Sequence, residues 1–337
     1  MRKLPVYILI DCSESMAGEP IQAVQDGLRM MTQTLKRDPH ALETVWMSVI
    51  AFDARAKVVV PMCELDDFQP PPLSIKPGTA LGSAMLLLKE RIKRDVKKTT
   101  ATEKGDWQPI VFVMTDGQPT DAWEKAADEL KNCRPKIANI YAIGCGREVD
   151  YGVLNAVSDI AFHLKETSSD LISKFFIWMT ASVQSMSQGA DSPVSLDKTP
   201  VGISGDLEII DPTQPFDRYE YPLQVFLHCR CISMDKMYML RYVLNEQYRV
   251  YEAKLAHELP EDFFAEGTYQ APAVPSELLY GSIPCPFCGN PSWAQCGTCE
   301  SLMCAPNEMP DEVQCPSCKT VLHGVNSGDF NVSRSAG

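Results

Sequence analysis

Apolar residues follow two different spacings over the first 188 residues of the chain. Continuous apolar runs at 6–10 and 110–114 are typical of central strands in a parallel sheet. Between such runs, apolar residues recur every three or four positions, as at Ile21, Val24 and Leu28, which predicts amphipathic helices. Strands that alternate with helices predict an α/β fold with a doubly wound, mostly parallel sheet covered on both faces.

The same patterns place the remaining elements of this region. Two neighbouring strand patterns are close enough in the chain to form an antiparallel hairpin. The predicted helices cover 21–35, 81–92, 122–130, 153–157 and 171–186, and the predicted strands cover 6–10, 45–52, 57–60, 110–114, 137–143 and 162–164.

Composition changes beyond this first region, 1–188. Residues 189–220 are rich in Ser, Asp, Pro and Gly, which predicts a linker. Residues 221–256 carry three runs rich in Tyr, Val, Leu and Met, which predict a small β-rich unit, and the prolines of 257–283 predict a second linker. A cysteine-rich, zinc-ribbon-like module follows at 284–324. We expect the small polar residues of 325–337 to be disordered.

Charge and hydropathy narrow the class of protein. The 337 residues are 45% hydrophobic and 22% charged, which is ordinary for a globular protein, and the net charge is −13. This negative charge argues against a binder of nucleic acid or of anionic membranes. The longest apolar runs fall well short of the ~20 residues of a membrane-spanning helix, and nothing resembles a signal peptide. We therefore expect a cytoplasmic protein without membrane insertion.

Oxygen-bearing side chains follow the apolar strands. Asp11, Ser13 and Ser15 stand at alternate positions directly after the first strand, and Asp116 ends a later one. Thr79 precedes a predicted helix. The carboxyl ends of parallel strands meet at one edge of a sheet, so these groups are expected to lie close together. Such a set suits a small hard cation that prefers oxygen ligands.

Helix capping is the competing interpretation of these hydroxyl groups. Serine and threonine are frequent helix N-caps, because their oxygens accept hydrogen bonds from free backbone amides. In this interpretation Ser13 or Ser15 caps the helix after Pro20, and Thr79 caps the helix after Gly82.

Asp11-x-Ser13-x-Ser15, Thr79 and Asp116-Gly117 resemble the metal-ion-dependent adhesion site of the von Willebrand factor A fold, a Rossmann-like fold, over 1–188. The resemblance implies one Mg²⁺, with the two serines and the threonine as inner ligands and the two aspartates acting mostly through water. An anion from a protein partner would complete the metal shell. The rim that selects this partner is expected to comprise Glu14, Met16, Gln118, Thr120 and Asp121.

Enzyme motifs are missing from the sequence of this first region. No G-x-G-x-x-G follows the first strand, and no Walker-type loop is present. Asp11 is followed by Cys12 and Ser13 rather than by the second aspartate of an aspartyl-phosphate phosphatase. The five histidines fit no recognised catalytic triad motif. We therefore expect a protein without catalytic activity.

Three C-x-x-C pairs, one further cysteine and one histidine stand close together near the end of the chain. Each C-x-x-C pair places two thiolates on a tight turn, and four such ligands form a tetrahedral structural zinc site. Eight ligands predict two Zn²⁺ ions, and a module this small needs metal to supply its folding energy. The candidate zinc ligands are Cys285, Cys288, Cys296, Cys299, Cys304, Cys315, Cys318 and His323.

The division of these ligands between two ions stays open. In the favoured, ribbon-like grouping, the first and third C-x-x-C pairs share one ion. Cys296, Cys299, Cys304 and His323 then hold the other ion. The competing grouping places the first two C-x-x-C pairs on one ion.

Cys229 and Cys231 lie upstream of this module, on a predicted strand. Their spacing would place both sulfurs on one face of the strand, next to His228. We expect both cysteines to be buried as small hydrophobic residues rather than to bind metal.

An N-terminal adhesion-site domain with a C-terminal double-zinc module resembles the TerY family of tellurium-resistance-associated proteins. The resemblance implies a cytoplasmic bacterial stress-response protein. It also implies phosphorylation signalling with two protein partners, a Ser/Thr kinase and a PP2C-type phosphatase. Exposed Thr and Ser residues of 99–102 and 189–199 would then be candidate phosphoacceptors.

Two alternatives are a von Willebrand A and zinc scaffold subunit of a transcription–repair core complex, and a RING-like ubiquitin ligase. The complete adhesion motif argues against the first alternative. The second lacks the expected Cys-x-His step in its ligand spacing.

Overall fold

The chain forms two compact units. The N-terminal unit comprises Met1–Ser74 and Thr79–Asp217, and the C-terminal unit comprises Ile75–Gly78 and Arg218–Gly337. The computed structural model describes residues 2–115, 118–145, 149–164, 168–188, 207–210, 222–245, 247–261, 263, 270–307, 312–323 and 330–335.

A seven-stranded sheet forms the centre of the N-terminal unit. Its strands are β1 (Leu4–Asp11), β2 (Val45–Phe52), β3 (Ala56–Glu64), β4 (Ile110–Thr115), β5 (Asn139–Cys145), β6 (Ile160–Leu164) and β7 (Leu207–Ile209). From edge to edge the order is β3-β2-β1-β4-β5-β6-β7. The five inner strands are parallel, and the two edge strands are antiparallel to their neighbours. This confirms the predicted mostly parallel α/β sheet.

Helices cover both faces of this sheet. Tyr7 and Leu9 of β1 share a buried cluster with Leu88, whereas Phe112 of β4 faces the other way and contacts the ring of Trp178. This alternation is the period-two pattern of a strand buried on both sides. None of the described helices is long and apolar enough to cross a membrane. The helices are α1 (Glu19–Leu35), α2 (Pro39–Thr44), α3 (Leu81–Asp95), α4 (Glu124–Lys131), α5 (Tyr151–Val157) and α6 (Ser169–Gln188).

The short helix α2 is absent from the sequence-based prediction. Asp38 accepts hydrogen bonds from the backbone amides of His40 and Ala41, at 2.9 and 3.3 Å, and Pro39 occupies the first helical position. An N-cap aspartate followed by proline is a recognisable start signal. The helix was missed because its six residues are too few to show a period of 3.6.

Strand β7 lies inside the segment 189–220 that was predicted as a linker. Ile209 of β7 pairs with Phe162 of β6, and the next residue, Ile210, is buried. Three residues are too short for an alternating pattern, but they satisfy the free hydrogen-bonding edge of β6. The other residues of this predicted linker lie outside the described part of the chain.

A second sheet organises the C-terminal unit. Its strands follow the order β11-β17-β8-β9-β10-β12, and the hairpin of β13 and β14 joins it where β14 pairs in parallel with β8. Strands β15 and β16 form a separate hairpin. The strands are β8 (Gln224–Arg230), β9 (Met237–Asn245), β10 (Val250–Glu258), β11 (Gln270–Pro275), β12 (Leu279–Tyr280), β13 (Ser292–Gln295), β14 (Leu302–Ala305), β15 (Glu312–Gln314), β16 (Val321–His323) and β17 (Asn331–Ser335).

Two segments of this unit differ from their predicted roles. The segment 257–283, predicted as a linker, contains β11 and β12, and the segment 325–337, predicted as a disordered tail, contains β17. Val274 of β11 pairs with Val332 of β17, and both side chains are buried. Each strand carries few apolar residues, so neither segment has the apolar alternation that predicts a strand. The two strands are recognised only from their pairing in the structure.

The cysteine-rich segment shares a hydrophobic core with the β sheet. Leu302 and Cys304 of β14 are buried in one cluster with Val225, Tyr238 and Leu240 of the sheet. The predicted boundary between a β-rich unit at 221–256 and a separate module at 284–324 therefore does not hold. A segment with so few large apolar residues gains its core by packing on a neighbouring sheet.

Gly27 of α1 lies in close contact with Phe176 of α6. A Cβ atom added at this position would come within 2.1 Å of Cδ2 of Phe176. We expect Gly27→Ala to lower the free energy of unfolding by about 1–3 kcal/mol, because overpacking forces the ring or the helix to move. Urea denaturation followed by circular dichroism measures the change.

Gln22→Ala is the matched control, because Gln22 is exposed on the same helix. This variant should stay within about 0.5 kcal/mol of the wild type. Equal stability of both variants would contradict the close packing of α1 on α6.

Candidate metal centres

The carboxyl ends of β1 and β4 form the first candidate site. β1 lies between β2 and β4, so the chain leaves β1 toward one side of the sheet and returns on the other. Ligands in open α/β sheets bind outside the carboxyl ends of strands at such a switch point. Asp11 ends β1 and Thr115 ends β4, and both side chains are fully buried.

Both carboxylate oxygens of Asp11 are held by the surrounding chain. Oδ1 accepts a hydrogen bond from the Ser13 amide at 2.9 Å, and Oδ2 accepts one from the Thr115 hydroxyl at 2.6 Å. These contacts fix the orientation of the carboxylate and balance part of its charge. Burial raises the pKa of the neighbouring Cys12 thiol, with Asp11 and Asp53 adding to the effect, so Cys12 stays protonated.

The three predicted hydroxyl ligands are all buried. The hydroxyls of Ser13 and Ser15 lie 3.0 Å apart. The Ala80 amide donates to the carbonyl of Asp53 at 2.7 Å, so the adjoining Thr79 turn is tied to the end of β2. The Oγ1 atom of Thr79 is buried without a hydrogen-bond partner in the described part of the chain. A buried, unpartnered hydroxyl is costly, and a bound cation would satisfy it.

The helix-capping interpretation does not hold for these hydroxyls. Ser13 precedes a short 3-10 turn but makes no capping hydrogen bond through its side chain. The N-cap positions of α1 and α3 are Gly18 and Ala80, whose side chains offer no oxygen to cap a helix. Within the described residues, the hydroxyls of Ser13, Ser15 and Thr79 are therefore available for another role. Neutral hydroxyl oxygens and a carboxylate are the kinds of ligand that a hard divalent cation prefers.

Asp116, the fifth predicted position, lies outside the described residues, as does Gly117. The structure places the end of β4 at Thr115, next to Asp11. Asp116 therefore stays a predicted ligand.

The predicted partner-binding rim needs correction at two positions. Glu14 and Met16 are only 0% and 1% exposed, because the 3-10 turn that contains them packs both side chains inward. Gln118 is exposed, as a rim residue would be. Thr120 and Asp121 are half-buried and form hydrogen bonds with the Thr79 turn and the start of α3. A surface selecting a partner thus cannot include Glu14 and Met16.

Four tight turns of the C-terminal unit share one hydrogen-bond pattern. In each turn the amide of a cysteine donates to the carbonyl five residues later, and its own carbonyl accepts from the amide four residues later, with all distances between 2.8 and 3.0 Å. The residue four positions after the cysteine has a left-handed backbone, as at Asp235 with φ 56°. The four turns begin at Cys231, Cys285, Cys296 and Cys315.

The eight sulfurs of these turns and of Cys304 form two tetrads. Within each tetrad the sulfurs all lie within 4.8 Å of one another. Tetrahedral zinc with Zn–S bonds of about 2.3 Å places sulfurs about 3.8 Å apart. Observed separations include 3.6 Å for Cys288–Cys304 and 3.7 Å for Cys296–Cys318, which match a zinc site. The tetrads are Cys231, Cys285, Cys288 and Cys304 in the first, and Cys296, Cys299, Cys315 and Cys318 in the second.

Both predicted groupings of the zinc ligands are therefore wrong. The second and third C-x-x-C pairs share a tetrad, whereas the first pair joins Cys304 and the upstream Cys231. Each tetrad is complete with four sulfurs. The His323 side chain lies outside the described part of the chain, although its backbone ends β16.

The prediction that Cys231 is only a small buried hydrophobic residue needs correction, because its sulfur completes the first tetrad. Its turn has the pattern of the other three, but Met234 stands where they carry a second cysteine, so no C-x-x-C pair marks it. Cys304 supplies the missing sulfur from β14. Cys229 behaves as expected: it is buried in the core, and burial raises the pKa of its thiol.

Thiol protonation varies within the second tetrad. The hydroxyl and amide of Thr320 lower the pKa of Cys318 to about 6, and the Ser301 hydroxyl lowers the pKa of Cys299. Burial raises the pKa of Cys315 to about 12. Zinc binds thiolates, so loading this tetrad must release the proton of the buried thiol.

Comparison with known proteins identifies the fold of the N-terminal unit. The family model of the von Willebrand factor type A domain matches residues 6–118. The chain therefore contains a von Willebrand factor type A domain at its N-terminus. None of the curated proteins matches the chain.

Several solved structures are similar to this chain over about half of its length. A von Willebrand factor type A protein from Catenulispora acidiphila is 18% identical, with a TM-score of 0.43, over 54% of this chain and 43% of its own. Proximal thread matrix protein 1 from the mussel byssus, in a form with a zinc-occupied MIDAS motif, is 16% identical over 54% and 48%, with a TM-score of 0.39. BatB from Bacteroides thetaiotaomicron is 18% identical over 53% and 98%, with a TM-score of 0.36. The chain spans less than half the length of the first two proteins.

Substitution of Cys231 tests the observed grouping. We expect the wild-type chain to hold two zinc ions, and Cys231→Ser to release one of them to a chelating dye that leaves the wild type loaded. Loss of one of four thiolates weakens only the first tetrad. Zinc content after dialysis, measured by atomic emission, gives the count.

Cys229→Ala is the matched control, because Cys229 is buried two residues away and belongs to neither tetrad. This variant should keep both ions. Two retained ions in Cys231→Ser under the same chelator challenge would contradict the first tetrad.

Proposed function

We propose that this chain is a non-enzymatic scaffold that binds protein partners through Mg²⁺ at Ser13, Ser15 and Thr79. The observation that carries this proposal is the buried Thr79 Oγ1 atom without a hydrogen-bond partner among the described residues. Two neighbouring serine hydroxyls and an oriented aspartate complete a donor set for a hard cation.

The charge of this donor set supports a binding role. The three inner ligands are neutral, and the Asp11 carboxylate, which is held by the Ser13 amide and the Thr115 hydroxyl, would offset only part of the charge of the ion. A bound Mg²⁺ would therefore supply an electrophilic position for a carboxylate or phosphate oxygen of a partner. Asp116 would add a second carboxylate to the shell. Gln118, which is exposed, is the rim residue best placed to touch that partner.

The C-terminal unit is proposed to hold two structural Zn²⁺ ions and to dock a second partner. Four sulfurs close each tetrad, so neither ion would keep an open position for catalysis. The first tetrad would link Cys231, at the end of β8, to the β14 strand that carries Cys304.

The pairing of an adhesion-site domain with a double-zinc unit supports a more specific assignment. We place the chain with TerY-like proteins, as the binding member of a cytoplasmic stress-response triad associated with tellurium resistance. Its partners would be a Ser/Thr kinase and a PP2C-type phosphatase. This assignment rests on the resemblance of the two ends of the chain to that family.

Metal binding tests the first part of the proposal. Mn²⁺ is a suitable probe because it prefers oxygen ligands and is the weakest competitor of zinc for thiolates. We expect Ser13→Ala and Thr79→Val to weaken Mn²⁺ binding by more than about tenfold, since loss of outer-shell groups alone commonly costs about 10–100-fold. Titration of the zinc-loaded chain, followed by electron paramagnetic resonance, gives the dissociation constants.

Ser48→Ala is the matched control, because Ser48 is a buried serine of β2 whose hydroxyl already donates to the Val60 carbonyl at 2.8 Å. It should leave Mn²⁺ affinity unchanged. Wild-type affinity in Ser13→Ala and Thr79→Val would refute the adhesion site.

Partner capture tests the second part. Tagged protein should retain the kinase or the phosphatase in Mg²⁺ and release it when Mg²⁺ is omitted or Ser13 is replaced by alanine. Omission is preferable to EDTA, which would also take zinc from the tetrads. Partners that stay bound to Ser13→Ala without Mg²⁺ would place docking elsewhere, and the C-terminal unit would be tested next.

A further inference from the structure

The loop after β4 is joined to the Thr79 turn by two reciprocal hydrogen bonds. The Thr79 amide donates to the hydroxyl of Thr120 at 2.9 Å, and the Thr120 amide donates to the carbonyl of Thr79 at 2.9 Å. The peptide groups on both sides of the Thr79 Cα atom are thereby fixed. The Thr79 side chain is therefore attached to a backbone segment that cannot rotate without breaking these two hydrogen bonds.

Asp121 extends this contact to the first turn of α3. Its Oδ1 accepts a hydrogen bond from the Gly82 amide at 2.9 Å, and its Oδ2 accepts from the amide and hydroxyl of Ser83 at 2.8 and 3.0 Å. The N-cap position of α3 is Ala80, which has no side-chain acceptor. Asp121 therefore satisfies the free amides of α3 from a distant part of the chain.

The packing at Gly82 shows independently that the loop after β4 lies close against the first turn of α3. A Cβ atom added to Gly82 would come within 2.7 Å of the Trp123 Cα atom and 3.0 Å of the Ala122 carbonyl oxygen. Both contacts are to backbone, which cannot move aside as a flexible side chain would. The absence of a side chain at Gly82 allows this close approach.

We propose that Thr120 and Asp121 are positioning residues for the metal ligand Thr79. This inference rests on the proposed metal site. The sequence-based expectation places both residues on the partner-binding rim, whereas their polar atoms are engaged with the Thr79 turn and with α3. Mg²⁺ demands near-ideal octahedral geometry, so a ligand hydroxyl on a loosened turn would bind it weakly.

The hydrogen bonds of Asp121 would couple ion binding to the contact between the loop after β4 and α3. If Asp121 favours the conformation that binds the ion, then the ion must in turn stabilise the contact of the loop with α3 by the same free energy. The site would thus bind an ion more tightly because of a carboxylate that does not touch it.

The test is Mn²⁺ titration of the full zinc-loaded chain carrying Asp121→Ala, Asp121→Asn, Thr120→Val or Thr120→Ser. We expect Asp121→Ala and Thr120→Val to weaken Mn²⁺ binding about tenfold, as is typical of outer-shell changes. Asp121→Asn keeps one acceptor oxygen and should show a smaller loss. Thr120→Ser keeps the hydroxyl and should bind like the wild type.

Asp38→Ala is the matched control for stability. Asp38 caps α2 through the same kind of carboxylate–amide bonds, so its loss should lower the melting temperature without changing Mn²⁺ affinity. An equal loss of affinity in Asp38→Ala and Asp121→Ala would overturn the positioning role. If Asp121→Ala does not fold, the Mn²⁺ affinity of Asp121→Asn is compared with that of Asp38→Ala instead.

Two further outcomes separate this inference from the proposed function. Wild-type Mn²⁺ affinity in folded Asp121→Ala and Thr120→Val, with binding lost in Thr79→Val, would overturn the positioning role and leave the adhesion site intact. Binding that survives Thr79→Val would overturn both, because the ion would then not use Thr79.

Discussion

Burial of a polar atom without a hydrogen-bond partner costs roughly 1–3 kcal/mol, and this cost applies to the Thr79 hydroxyl. The surrounding chain satisfies both carboxylate oxygens of Asp11, which accept from the Ser13 amide and from the Thr115 hydroxyl. The Thr79 hydroxyl is buried with no such partner among the described residues. A bound cation would coordinate the Thr79 hydroxyl and so remove this cost. The ordered Asp11 carboxylate would offset part of the charge of the cation.

The clustered thiols of the C-terminal unit are subject to a related electrostatic constraint. Four thiols within 4.8 Å of one another cannot all ionise without strong repulsion, unless a cation lies between them. Because the two tetrads interleave along the chain, zinc would hold together segments that are remote in sequence. Cys231 connects the β8–β9 turn to Cys304 of β14, and β14 already packs in the core of the sheet. Metal binding and hydrophobic burial would therefore stabilise the same unit.

Local patterns predicted most of the longer strands and helices but not the contacts between elements. The strands β1 and β4 follow from continuous apolar runs, and the positions of Ser13, Ser15 and Thr79 follow from one motif. Glu14 was misjudged because the sequence does not show that a 3-10 turn faces inward.

The role of Cys231 as a candidate metal ligand and the contact of Asp121 with α3 were both missed for the same reason. Cys231 joins cysteines more than fifty residues away, and Asp121 caps a helix that begins forty residues earlier in the chain. Such long-range pairing leaves no periodic signal in a single sequence. The short strands β7 and β17 escaped prediction for the same reason, since each depends on an edge supplied by another strand.

Anomalous X-ray scattering from crystals of the zinc-loaded chain grown with Mn²⁺ is the most direct measurement of the central claim. Data collected at the zinc and manganese absorption edges would locate each metal separately. The account predicts one manganese peak among the oxygens of Ser13, Ser15 and Thr79, and one zinc peak at the centre of each cysteine tetrad. A manganese peak elsewhere, with none at Thr79, or a zinc ion shared by cysteines of different tetrads, would contradict it.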